Sequence, residues 1–331
     1  MKRTPLLVAL AALAACKQPT PTRYLSDTAL PQPDTGGDDP CAVQLLETNP
    51  EDGDGVFYYR DELTASFDDV ATHVDIQLYT AAGALEPTQV TWDETGLNAN
   101  IRPLNPLDPA TEYALQVQTC PTATTTAVGF STSTLGLPLE VELDTLVDRV
   151  YYLPLGGGNY EEPPGLGPII SAYLDQPLLL KVRDANVDSL MLMGAQGAIS
   201  SSSGEILQLP GRETFNFGAA DFRGRPYFST IASVVPLVYD GTEIKFYDFA
   251  VEGTFSADGS VIGYPQVDGL IDTRNLGSLV GIGNEDDSAC EYVAAVGLEC
   301  IACPDGQDLC LYLKATFPAA EYVPGLTVRP Y

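Results

Sequence analysis

The chain predicts an all-β protein: a β-sandwich followed by a second β-rich domain, a sandwich or a barrel, with one or two short helices. Three observations carry this expectation. Between residues 41 and 135, short stretches alternate apolar and polar side chains and are cut by turn residues. Beyond residue 136 the stretches are rich in β-branched and aromatic residues and punctuated by glycine turns. Only one internal segment, 288–297, carries helix-boundary signals: Ser288-Ala289-Cys290-Glu291 has capping-box spacing, and Gly297 can end the helix.

Residues 1–15 open with Lys2 and Arg3 and continue into an apolar run over 6–13, too short to span a bilayer. This is the layout of an export signal. The run ends in Leu13-Ala14-Ala15-Cys16, which resembles the lipobox of bacterial lipoproteins. The plainer alternative is an ordinary signal peptide cut at the small residues. The resemblance implies that the peptide is removed, that Cys16 is acylated, and that the membrane is a partner reached through the lipid, because several acyl chains hold where one does not. Lys17 is not the aspartate of the familiar inner-membrane retention rule, so the resemblance points to the outer membrane, at its periplasmic face or the cell surface. No second run approaches membrane-spanning length, so a soluble body held by lipid alone is expected.

Without residues 1–15, 316 remain, enough for two domains with separate cores. With Lys2 and Arg3 gone, 14 basic residues face 45 acidic ones, a formal charge of −31. That excess argues against nucleic acid and anionic lipid surfaces as partners. An acidic surface suits cations, calcium in particular, but solubility at a crowded cell exterior is the simpler reading. Histidine occurs once, at His73, in an apparent strand over 74–78. Most histidine metal sites are thereby removed, and a Ser-His-Asp triad would depend on one residue that reads as a surface position. No cofactor and no metal is expected.

The next segment, 16–40, is the acylated cysteine and a tether. Residues 17–40 hold five prolines, a Gly-Gly pair and no apolar periodicity, so they cannot bury enough surface to fold.

Domain 41–136 is the sandwich. Leu63, Ala65 and Phe67 share one strand face, as do Val74, Ile76 and Leu78, then Leu97, Ala99 and Ile101, then Tyr113, Leu115 and Val117. The run Leu107-Asp108-Pro109-Ala110-Thr111-Glu112-Tyr113 before an alternating strand resembles the tyrosine corner of Greek-key sandwiches. With Asn49-Pro50-Glu51-Asp52-Gly53 and the closing Phe130-Ser131-Thr132, the segment resembles a bacterial Ig-like domain of the surface-layer SbsA type; a fibronectin type III module shares the corner but lacks the early turn. In an Ig-like sandwich the start of the first strand and the end of the corner strand meet at one end, which implies a Cys41–Cys120 bridge. Such a bridge stabilises by about 4 kcal/mol in the chain-entropy model.

Domain 137–331 is a β-rich region stapled by disulfides. Strands are expected at 178–182, 189–193, 205–209, 231–238, 243–252 and 267–271, with turns at Asp240-Gly241 and Asp258-Gly259 and a loop over 158–168. Cys290, Cys300, Cys303 and Cys310 cluster within 21 residues. Thiolate zinc sites and redox pairs use such spacing, but an exported chain keeps its thiols oxidised, so two disulfides are expected. Three pairings are open. If 288–297 is helical, Cys290 lies about 15 Å along the axis from Cys300, which makes that pairing the least favoured.

Other motifs read as structural. Asp52-Gly53-Asp54-Gly55 opens like a calcium loop, but the twelfth position is Leu63, with Glu62 adjacent; a tight acidic turn fits better. Glu285-Asp286-Asp287 reads as helix-start charge. Gly156-Gly157-Gly158 lacks a phosphate-loop Lys, and no Gly-x-Ser-x-Gly elbow occurs. The aromatic residues Phe246-Tyr247-Asp248-Phe249, with Phe215, Phe217, Phe222, Tyr227 and Phe228, are expected to fill a core. A cavity lined by Phe246 and Phe249 is the functional alternative.

The sequence therefore predicts a non-enzymatic envelope protein in which a lipid-anchored sandwich acts as a spacer and presents the second domain for binding or structural contact. Its partners would be an envelope protein, a glycan or a lipid. Ligand-binding residues cannot be assigned from the sequence. The rival readings are a lipid- or polysaccharide-binding protein with a C-terminal cavity and a surface hydrolase built on paired carboxylates or His73.

Overall fold

The computed structural model describes residues 43–174 and 176–330; Cys16, the tether and Cys41 lie outside the described residues. The chain is all-β, with two main hydrophobic cores.

The first body contains β1 (Leu45–Asn49), β2 (Leu63–Phe67), β3 (Asp75–Thr80), β4 (Leu85–Glu86), β5 (Thr88–Trp92), β6 (Asn98–Pro103), β7 (Glu112–Gln118) and β8 (Thr126–Ser131). They form two antiparallel sheets, ordered β1-β2-β6-β5 and β4-β3-β7-β8. Alternation decides the layering: Leu63, Ala65, Ala99 and Ile101 of one sheet and Leu78 and Leu115 of the other are fully buried between them. The Tyr113 hydroxyl accepts the Asp108 N–H at 2.8 Å, so the tyrosine corner is present in geometry. Asp52 accepts the Gly129 N–H at 2.8 Å and Asp54 the Val56 N–H at 2.9 Å, so this acidic pair holds a turn together. Cys120 is buried and disulfide-bonded. His73 is exposed on a bend ahead of β3 rather than within a strand.

The second body begins with β9 (Val150–Leu153), β10 (Asn159–Glu162), α1 (Gly167–Tyr173), β11 (Leu178–Ala185), β12 (Ser189–Ile199), β13 (Ile206–Gln208), β14 (Phe215–Asn216) and β15 (Ala220–Asp221). It continues with three long strands, β16 (Tyr227–Tyr239), β17 (Thr242–Phe255) and β18 (Val261–Asp272), then α2 (Leu276–Val280), α3 (Ser288–Ala294), β19 (Cys310–Thr316) and β20 (Ala319–Tyr322). One curled sheet runs β10-β19-β18-β20-β9-β11-β12-β13, with β17 and β16 continuing from β18 and with β14 and β15 on β12. Strand β18 is the branch: 261–263 pair with β20, and 266–272 with β19. The far edges meet where the Gly218 N–H donates to the Ile231 carbonyl at 2.8 Å and the Thr230 hydroxyl donates to the Gly218 carbonyl at 2.6 Å. Among the described residues no ladder closes there, so the sheet is not a barrel.

Turn chemistry places the long strands. Asp240 and Gly241 both have positive φ, 49° and 85°, the two-residue turn that matches strand twist between β16 and β17. The C-terminal segment covers the outer face of β9, β11 and β12, where Val328 packs with Val150, Leu179 and Met193.

The two bodies are docked on each other. The Tyr58 hydroxyl bonds the buried Thr254 hydroxyl at 2.7 Å, and its ring stacks on Tyr264 at 4.5 Å. Arg60 lies 3.6 Å over the Tyr227 ring, and Leu135 fills the space beside Gly263. These contacts fix the orientation of the sandwich at this junction.

Several expectations change. The 158–168 loop contains β10 and the start of α1, and there are three short α-helices rather than one or two. The predicted 288–297 helix stops at Ala294, and the N-cap residue is Asp287 rather than Ser288. That early stop reverses the disulfide expectation: Cys290 pairs with Cys300 and Cys303 with Cys310. Gly297 at φ +88° lets the Leu298 N–H return to the Val293 carbonyl, folding 298–300 back along the helix. The Cys290 and Cys300 Cα atoms are consequently 5.7 Å apart, not the length of a helix.

Candidate ligand-binding pocket

Three short helices stand over the edge of the curled sheet, each offering one apolar stripe. Leu166, Ile169, Ile170, Tyr173 and Leu174 recur at helical spacing along α1 and its flanks. Leu276, Leu279 and Val280 do the same on α2, and Ala289, Tyr292 and Val293 on α3. Beneath them lie Ile244 of β17, Ile271 of β18 and Leu311 of β19, and the last two are register partners.

The stripes do not close on the sheet. They border a half-open cavity of about 90 Å³ whose wall is wholly apolar. No residue of α1 is fully buried, which is unusual for a segment as apolar as Gly-Pro-Ile-Ile-Ser-Ala-Tyr. The helix covers a space rather than filling it. The Cys290–Cys300 bridge ties α3 to the returning chain, and the Ser288 hydroxyl accepts the Glu285 N–H at 3.1 Å, so the first turn of α3 is held from two sides.

A second compartment of about 350 Å³ adjoins it, and the two share Tyr173 and Leu279. This vestibule is more polar, with Gln176, Tyr239 and Asp240 in its wall. Gln196 is buried and fixes it from behind. Its amide donates to Gln176 Oε1 at 2.6 Å and to the Val238 carbonyl at 2.9 Å, while its oxygen accepts the Val238 N–H at 3.0 Å.

The sequence-predicted candidates fall elsewhere. Phe246 and Phe249 are 1% and 2% exposed and meet edge to face at 5.7 Å inside the main core, so the cavity they were to line is filled by their own rings. Cys290 and Cys300 adjoin the pocket as a staple, and Cys303–Cys310 pins the start of β19. Cys120 and His73 belong to the first body. Among the described residues no group of three or more His, Cys, Asp or Glu side chains is arranged to hold a metal. The missed signal was the 166, 169, 170, 173, 174 stripe, hidden because Pro163, Pro164, Gly165, Gly167 and Pro168 read as loop.

One titratable group stands out, at the junction rather than the pocket. Burial, then repulsion from Glu161, raises the Asp61 carboxyl to about 6, with the Lys314 ammonium acting in the opposite sense. Lys314 itself bonds Glu161 at 2.6 Å.

No family model matches the chain, and no curated protein matches it. Among solved structures it overlaps the N-terminal part of the bacterial S-layer protein SbsC, at 10% identity and a TM-score of 0.21, over 61% of this chain and 42% of that one. An overlap this loose transfers neither fold nor role. No helix among the described residues is long and apolar enough to cross a membrane.

Proposed function

We propose that this is an exported, lipid-anchored protein of the bacterial cell envelope whose second body binds an apolar group in the helix-covered cavity, without catalysing a reaction. The wholly apolar wall beneath α1, α2 and α3 carries the binding half of this reading. A glycan would leave its hydroxyls unpaired there, so a lipid-like group fits better than a polysaccharide. The Leu13-Ala14-Ala15-Cys16 motif supports the anchor, and the oxidised cysteines agree with export. On this reading the Ig-like sandwich positions the binding body near the outer membrane, and its docked tyrosines set the orientation.

Two measurements test it. Expressed in a bacterium, the wild-type chain should fractionate with membranes and Cys16→Ser should not; equal release of both would remove the anchor. Calorimetric titration with 1-octanol should show saturable binding that Ile170→Trp abolishes by filling the cavity. Binding that survives this substitution would place the site elsewhere.

A further inference from the structure

We infer that the two adjoining compartments select a single-chain amphiphile with a cationic head. This rests on the pocket reading above and adds the ligand's charge.

Charge follows from the vestibule. Tyr173 and Leu279 line both compartments, so a tail inside leaves its head beside Gln176, Tyr239 and Asp240. Among the described residues Asp240 is the only charged one in either wall, and the whole chain carries −29. The partly exposed Tyr173 ring with the Asp240 carboxylate suits an ammonium, which is drawn to ring faces and to the opposite charge. A carboxylate or phosphate head meets no Lys or Arg in this wall. Gln176, fixed through Gln196, offers the head a neutral polar contact.

The mature full-length chain carrying Cys16→Ser is titrated calorimetrically with octyltrimethylammonium, octanoate and 1-octanol. The cation should bind about tenfold tighter than the anion. Asp240→Asn keeps a residue that tolerates the left-handed turn, so folding is preserved, and it should bring the two within about twofold while leaving 1-octanol unchanged. Equal binding of anion and cation, or a preference untouched by Asp240→Asn, overturns the head assignment while the pocket stands. If none of the three probes binds, the pocket reading itself fails.

Discussion

In the first body the inward faces of two four-stranded sheets meet across a filled core, whereas in the second body three helices hold apolar stripes above the sheet without closing on it. Both regions are built from the same aliphatic residues. The difference lies in what opposes them. Strand faces related by a period of two interlock when the sheets stack, so little space remains. Short helices over a curled sheet edge meet it at a few points each, and the space between them survives.

That contrast can be broken by removing equal volume from each side. Leu115→Ala in the sandwich core should cost about 3 kcal/mol in chemical denaturation and leave 1-octanol binding intact. Ile170→Ala should cost under about 1 kcal/mol, because the side chain already borders a void and is partly exposed, yet it should weaken binding. Matching losses in the two variants would erase the distinction.

Opening the staple sharpens it from the other side. Replacing both Cys290 and Cys300 by serine should cost up to about 3 kcal/mol, the chain-entropy value for a loop of this length. Amide exchange should quicken around α3 and leave β1–β8 protected. Smaller still, Tyr113→Phe leaves the Asp108 N–H without its side-chain acceptor and should cost about 1–2 kcal/mol, confined to the sandwich.

The smallest effect concerns the junction. The folded state holds the Asp61 proton up to about pH 6, above the value near 3.8 for a free side chain, so it binds more protons than the unfolded state between these limits. Stability should therefore fall as pH rises from about 4 to 6. Asp61→Asn should remove that slope and gain about 1 kcal/mol at pH 7, a figure discounted for partial solvent exposure. Parallel pH profiles for the two proteins would show that Asp61 does not titrate in this way.

Strand faces were readable from sequence because alternation records burial directly: the triplets starting at Leu63 and Tyr113 face the core. The hairpin at Asp240-Gly241 was readable because its backbone needs residues that accept positive φ. The pocket was not readable. Helix α1 starts among prolines and glycines and is seven residues long, so its stripe covers two turns and competes with stronger loop signals. The cysteine pairing failed for a related reason, since α3 ends three residues before Gly297 and the chain doubles back. Aromatic residues do not mark the cavity, because bulk shows where a core is filled, not where it is empty.

Xenon tests the central contrast most directly, since it enters apolar voids and is excluded from packed cores. A crystal of the protein pressurised with xenon should show it between Ile170, Ile271 and Leu311 and none between Leu63 and Leu115. An empty site beneath α1, or xenon held equally in the sandwich core, would contradict the claim that the second body keeps an apolar cavity where the sandwich is packed.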